Sequence, residues 1–158
     1  QHTSVKYLGL HLDRRLTWKS HIDAKLTQTK LKLVQYTWLI GRNSKLSLDC
    51  KLLIYYSIFK PIWVYGIQLW GTASASNIER IQRCQNKILK MITGAPWYVR
   101  TSHLHRDLNV PLVKSEIIKY SANYLQKLES HPNPLARNLL NNRSHQRLRR
   151  RETADLTR

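Results

Sequence analysis

The sequence predicts a mainly α fold: a helical bundle preceded by a short strand or hairpin remnant and followed by a basic, flexible tail. Three observations carry that reading. Apolar residues recur at three- and four-residue steps along the stretches 17–40, 76–93 and 111–128. Strict alternation is confined to residues 5–12. Beyond Asn141 apolar residues nearly vanish and arginine dominates. The chain therefore divides into a strand and turn at 1–16, a helical region at 17–140 and a tail at 141–158.

Val5 to Asp13 reads as one short strand, with Leu8, Leu10 and Leu12 on one side, and Asp13-Arg14-Arg15 turns the chain. One strand is not stable alone, so it calls for a partner from sequence upstream. Thr17 is the expected cap of a helix reaching Ile40, whose buried stripe is Ile22, Leu26, Thr29, Leu33 and Ile40. Gly41 and Asn43 stop it. Ser47 caps the next helix, with Asp49 at its positive end. Leu48, Leu52, Tyr55 and Phe59 mark its inner face, and Leu53, Ile54 and Ile58 make it a central helix. Pro61 should kink or break it, and Ile62 to Trp70 should continue as a second piece.

Ser76 and Glu79 fit a capping box for the helix that follows. Its apolar stripe is Ile78, Ile81, Ile88 and Ile92 with Gln85 inside, and Gly94 and Pro96 end it. Residues 97–106 read as irregular chain or a short helical turn. Pro111 suits the opening of the last long helix, with Val113, Ile117, Tyr120, Tyr124 and Leu128 buried. A break at His131-Pro132-Asn133-Pro134 precedes a turn or two at 135–140.

Charge narrows the function. Lys and Arg total 27 against 9 Asp and Glu, a formal charge of +18. Such a field draws polyanions, and a 42% hydrophobic content is too high for a disordered basic arm. Two separate cysteines, Cys50 and Cys84, fit a reducing compartment better than a disulfide scaffold. No signal peptide is visible, and the start at Gln1 reads as the inside of a longer frame. Leu52 to Trp70 is apolar but carries Lys60 and Pro61 at its centre, which suits a buried helix and not a membrane partner.

The sharpest functional signal is on the helix at 76–93. Arg80, Arg83, Lys87 and Lys90 step by three, four and three, so they share the face opposite the isoleucines. A row of cations fixed to a core suits a phosphate backbone, and a solvated charged face is the plainer alternative. Lys25 and Lys32 flank the buried stripe of the first long helix and join the candidates. Trp97 and Tyr98 follow a helix end and are expected to be exposed enough to stack on bases. Trp18, Trp38, Trp63 and Trp70 are expected mostly in the core.

Catalytic signals are absent from the sequence. No two acids are adjacent and none form Asp-x-Asp, so a two-metal carboxylate site has no candidate. His103-x-His105 is half of a zinc pattern without its other half. His105-Arg106-Asp107-Leu108-Asn109 echoes a kinase loop with its Asn misplaced. The run Arg147-Leu148-Arg149-Arg150-Arg151 fits a nuclear address, a phosphate clamp or a solvated tail equally well.

Several segments in order carry a family resemblance. Val5 to Asp13 with Leu16-Thr17-Trp18-Lys19-Ser20-His21-Ile22 resembles the part just beyond the catalytic palm in reverse transcriptases of non-LTR, LINE-like retrotransposons, the jockey-like branch above all. Lys60-Pro61-Ile62-Trp63-Val64-Tyr65-Gly66, Leu69-Trp70-Gly71, Ile81 to Lys87, Leu108-Asn109-Val110-Pro111 and His131 to Ala136 agree. The resemblance implies that Tyr7, Leu8 and Gly9 belong to a primer-grip hairpin. It implies that the helices from Trp18 onward form a thumb-like bundle and the region after it, holding an RNA template and its RNA–DNA duplex. It implies RNA-directed DNA synthesis for the whole enzyme, with Mg2+ held by an aromatic-x-Asp-Asp turn in an upstream palm next to the fingers. This sequence lacks that turn, so the resemblance implies no cofactor in this part and no activity from it alone. Two other readings remain: a free-standing basic helical RNA- or DNA-binding module, and a scaffold or membrane-surface protein built on Leu52–Trp70.

Overall fold

The structure is a computed structural model and describes residues 4–141 and 153–156. Two antiparallel strands open the chain, β1 (Ser4–Tyr7) and β2 (Leu10–Asp13), with Tyr7 opposite Leu10 and Ser4 opposite Asp13. The alternation had read as a single strand in need of an outside partner, and that is corrected here: the strand pairs within the chain. Leu8 (φ 45°) and Gly9 (φ 76°) make a two-residue turn in the left-handed region, a geometry that matches the twist of a hairpin. Leu8 and Gly9 sit in phase with the leucines on either side, so the turn hides inside the pattern.

The long helix α1 (Lys19–Ile40) buries His21, Ile22, Thr29, Leu33 and Ile40, close to the expected stripe. Its start differs. Thr17 is not the cap: the Asp13 carboxylate accepts from the amides of Thr17 and Trp18 and from the Thr17 hydroxyl, at 2.7–3.1 Å. Burial alone would push the Asp13 carboxyl up, but these hydrogen bonds together outweigh it and hold it below its ordinary value. Trp18 itself takes a left-handed conformation (φ 62°), which a bulky residue adopts only when packing holds it there. Its ring is buried, and its indole N–H donates to the Thr72 hydroxyl at 3.1 Å.

Ser47 caps α2 (Leu48–Ile54) as expected, accepting from the Cys50 amide. Pro61 does not break the helix. A π-helical turn at Tyr55–Phe59 joins α2 to α3 (Lys60–Val64), and the Lys60 amide donates to the Tyr55 carbonyl five residues back. The widened turn spares the carbonyls that Pro61 would clash with and cannot bond. The break falls later, at Tyr65 and Gly66, before α4 (Ile67–Trp70). Gly66 (φ 68°) faces Leu10 of the hairpin so closely that a Cβ there would lie 2.6 Å from Leu10 Cδ2. This helix is less central than expected, with Leu48 and Leu53 exposed.

The next helix, α5 (Ala75–Thr93), is capped by Ser74, whose hydroxyl accepts from the Asn77 amide. The Ser76–Glu79 capping box does not form, because the cap falls two residues earlier, at Ser74, and places Ser76 inside the helix. Ile81, Gln85, Ile88, Leu89 and Ile92 are buried, and Gly94 closes the helix in the left-handed conformation. The segment read as irregular contains α6 (Thr101–Asp107). α7 (Val113–Glu129) buries Val113, Glu116, Ile117, Ser121 and Leu128. Tyr120, expected inside, is exposed, and Ser121 takes the inner place. α8 (Pro134–Asn141) follows the proline break.

Most of the segment expected as a flexible basic tail, including Arg143, Arg147, Arg149, Arg150, Arg151 and Arg158, lies outside the described residues. Thr153–Leu156 is a 3-10 turn packed on the body, where the Thr153 hydroxyl donates to the Gln68 carbonyl at 2.9 Å. No described helix is long and apolar enough to cross a membrane.

Two apolar clusters hold the fold. One joins Trp18, Ile22, Trp63, Ile67, Trp70, Ile81, Val113 and Ile117. The other joins Leu33, Ile40, Tyr55, Phe59, Ile88, Leu89, Ile92 and Val110. Gln85 sits between them, and its amide donates to the Tyr55 hydroxyl and the Pro111 carbonyl, both at 2.9 Å. A buried polar group is tolerated where its hydrogen bonds are complete.

His21 is fully buried beneath the hairpin, and its Nδ1 accepts from the His11 amide at 3.3 Å. Burial first, then the nearby charges of Lys25 and His11, lower its pKa from 6.5 to about 4. The unfolded chain therefore binds a proton between about pH 4 and 6.5 that the folded chain refuses. Stability should be complete above 6.5 and fall through that window as the pH drops, by about 1.4 kcal/mol per unit. Urea midpoints at pH 7 and pH 5 test this: the drop should shrink in His21→Gln, and an equal drop in both proteins rejects it.

Candidate nucleic-acid interface

α1 and α5 run side by side and parallel. The Asn77 side chain donates to the Thr17 carbonyl at their N-terminal ends. One turn further on, Arg80 forms an ion pair with Asp23. At the far ends Gly94 lies against the Arg42 side chain. This pairing decides which cations stand together.

Lys30 follows Asp23 by seven residues, and Lys87 follows Arg80 by seven. Seven residues is two helical turns, so Lys30 is brought opposite Lys87 just as Asp23 is opposite Arg80. The Cys84 thiol records the arrangement. Burial pushes its pKa up, while Lys30 and Lys87 both pull it down. Both lysines are on the surface. Two ammonium groups on rigid neighbouring helices repel each other unless an anion lies between them.

The four expected cations on α5 do share one face, but they are not equivalent. Arg80 is neutralised by Asp23, an acid from the other helix that the α5 sequence does not reveal. The Lys90 ammonium donates to the Trp97 carbonyl at 3.0 Å, which fixes its position and leaves its charge. Arg83 and Lys87 are exposed. Past the Asp23–Arg80 pair neither helix carries a further acid. Between Asp23 and Asp49 the chain has no acid and carries Lys25, Lys30, Lys32, Arg42 and Lys45. Between Glu79 and Asp107 it has none either, and carries Arg80, Arg83, Lys87, Lys90, Arg100 and Arg106.

Lys25 and Lys32 lie on the opposite flank of α1 from the edge that meets α5. Lys25 is half-buried over the Tyr65 ring, 5.1 Å from its centroid, and Lys32 lies 5.7 Å from the Tyr36 centroid. Burial, then the charge of Lys6, lowers the pKa of Lys25. These two residues therefore form a second basic edge, joined to the hairpin. The Tyr65 hydroxyl donates to the Leu8 carbonyl at 2.6 Å, and its ring stands 3.2 Å from where a Gly9 Cβ would be. Only a glycine fits there without moving the ring. Tyr7 and Leu8 are exposed at the hairpin tip.

Sequence reasoning missed Lys30, Arg42 and the exposure of Trp38. The seven-residue echo of Asp23–Lys30 in Arg80–Lys87 was the available signal for Lys30. Trp97 and Tyr98 are exposed as expected. His103 is exposed and His105 buried, with the His105 ring held between the Val110 carbonyl and the Asn86 side chain, so the two do not converge on a metal. Among the described residues no three His, Cys, Asp or Glu side chains come together.

Comparison with known proteins agrees with the resemblance. The chain is 47% identical over 156 residues to a Drosophila melanogaster protein named "Probable RNA-directed DNA polymerase from transposon X-element", a match to 99% of this chain and 17% of that protein. It is 42% identical over 151 residues to the Drosophila melanogaster "Probable RNA-directed DNA polymerase from transposon BS", covering 96% of this chain and 17% of that protein. It is 43% identical over 138 residues to the "RNA-directed DNA polymerase from mobile element jockey" of the same species, covering 87% of this chain and 15% of that protein. The chain thus spans 15–17% of the length of these relatives. No protein-family model matches it. No solved structure matches it either.

Proposed function

The chain belongs to the jockey-like family of non-LTR retrotransposon proteins, and on that premise we propose that it holds the template–primer duplex for an RNA-directed DNA polymerase. One observation carries the proposal: the parallel pair α1 and α5 presents Lys30, Arg83 and Lys87 on an exposed face where Asp23 is already paired with Arg80 and Glu79, one turn before Arg83, is the other acid of the two helices. Cations held at fixed spacing on a rigid element contact phosphates and read no bases. The hairpin tip at Tyr7, Leu8 and Gly9, braced by Tyr65 and Lys25, is the part that would reach the primer end and the upstream fingers and palm. Catalytic carboxylates and their Mg2+ belong to that upstream part.

The self-paired hairpin favours a second reading, in which the chain folds and binds nucleic acid by itself. Both readings predict binding with little sequence preference. RNA–DNA duplexes of equal length and unrelated sequence should compete within about twofold for this chain, because backbone contacts are the same in all. A preference beyond about tenfold means base-edge contacts and rejects the backbone site.

A further inference from the structure

The five tryptophans fall into two groups. Trp18, Trp63 and Trp70 are buried, whereas Trp38 is 74% exposed and Trp97 is 87% exposed. Tyr98, 69% exposed, stands edge-to-face against Trp97 with ring centroids 6.0 Å apart. Large rings left in water on a folded surface mark a contact site. The parallel pairing brings these rings to the same end of the interface. Trp38 lies in the last turn of α1, Arg42 follows the end of that helix and packs on Gly94, and Trp97 follows Gly94 by three residues, its carbonyl bound by Lys90. Arg42 and Arg100 are exposed beside them. Both segments that supply the rings are free of acid, from residue 24 to 48 and from 80 to 106.

We infer that Trp38, Trp97 and Tyr98 form a stacking platform for unpaired bases, placed where the basic row on α1 and α5 ends. The inference rests on the nucleic-acid reading above for its ligand, and adds a single-stranded segment to the duplex that reading names. The chemistry is that of single-strand binding: cations follow the phosphates while flat rings take the exposed base faces, without regard to sequence. A protein partner is the competing occupant, but the two segments that supply the rings carry cations and no acid, and an anionic strand satisfies both the rings and the charge.

The test uses the whole chain and two probes, a blunt RNA–DNA duplex and the same duplex with an unpaired extension. The extension should tighten binding by about tenfold or more, since each stacked base contributes a factor of about five upward. Trp38→Ala and the double variant Trp97→Ala/Tyr98→Ala should each lose much of that gain while blunt-duplex affinity stays the same, and Trp38→Phe should keep part of it. Thermal unfolding should be unchanged in all three, because the rings are exposed. An extension that adds nothing overturns the platform, as does a variant that weakens both probes alike or neither; the last result would leave the rings to a protein contact. If the blunt duplex does not bind but the extension does, and the variants lose it, the platform stands and the duplex reading falls.

Discussion

Replacing Lys60 with Met should destabilise the chain by about 3–5 kcal/mol at pH 7, a large share of the about 5–15 kcal/mol that holds a typical domain folded. Lys60 opens α3 and reaches Glu116 of α7 at 2.8 Å, across 56 residues of sequence. Glu116 is 3% exposed, so loss of its partner leaves an uncompensated carboxylate in the interior. The ammonium also lies 5.3 Å from the Tyr56 ring centroid, and the Met side chain keeps only the apolar part of that contact. The second change separates charge from packing. Lys60→Met/Glu116→Leu should recover most of the loss, because replacing both members of a buried pair with apolar groups is often neutral. Urea denaturation of the three proteins decides it. A single variant within about 1 kcal/mol of the parent, or a double variant no better than the single, shows that the pair does not join α3 to α7 as described.

The second large effect concerns binding. Lys30→Gln/Arg83→Gln/Lys87→Gln should weaken binding to an RNA–DNA duplex on the order of a hundredfold at low salt, and flatten the salt dependence by about two to three units of slope. Each lost phosphate contact removes about 0.9 from that slope. Arg80→Gln is the internal control. Its guanidinium is engaged by Asp23, so its removal frees an acid and releases few counterions. A slope change from Arg80→Gln as large as that from the triple variant would mean that the ion pair opens in the complex and that the row begins one turn earlier. An unchanged slope in the triple variant removes the α1–α5 surface from consideration.

The helical layout was legible where one element's own spacing decides it. Ile81, Gln85, Ile88 and Ile92 are buried because a helix repeats every 3.6 residues, and the sequence displays that repeat directly. The basic face of α5 was legible for the same reason. The features that escaped depend on relations between elements or on a local geometry without a period. The hairpin turn at Leu8 and Gly9 lies in phase with its strands. The π-turn at Tyr55–Phe59 shifts a hydrogen bond by one residue to accommodate Pro61, and nothing in the apolar pattern marks it. Asp13 holds the Thr17 and Trp18 amides just ahead of α1, and Trp18, not Thr17, takes the capping position. Above all, the Asp23–Arg80 pair spans 57 residues, and with the Asn77–Thr17 and Gly94–Arg42 contacts it reveals which lysines of α1 stand beside the α5 row. Lys25 and Lys32 were legible from the flank of α1 they share, while Lys30, brought near Cys84 and Lys87 by the helix pairing, was passed over.

A surface that holds nucleic acid through phosphates must release counterions when it binds. The affinity of the unmodified chain for a random-sequence RNA–DNA duplex, followed against salt concentration, tests it most directly. Log affinity against log salt should fall on a straight line with a slope of about −3 to −5, from about three to five phosphate contacts. A slope shallower than about −1 would contradict it, because no row of cations could then be releasing counterions from a phosphate backbone.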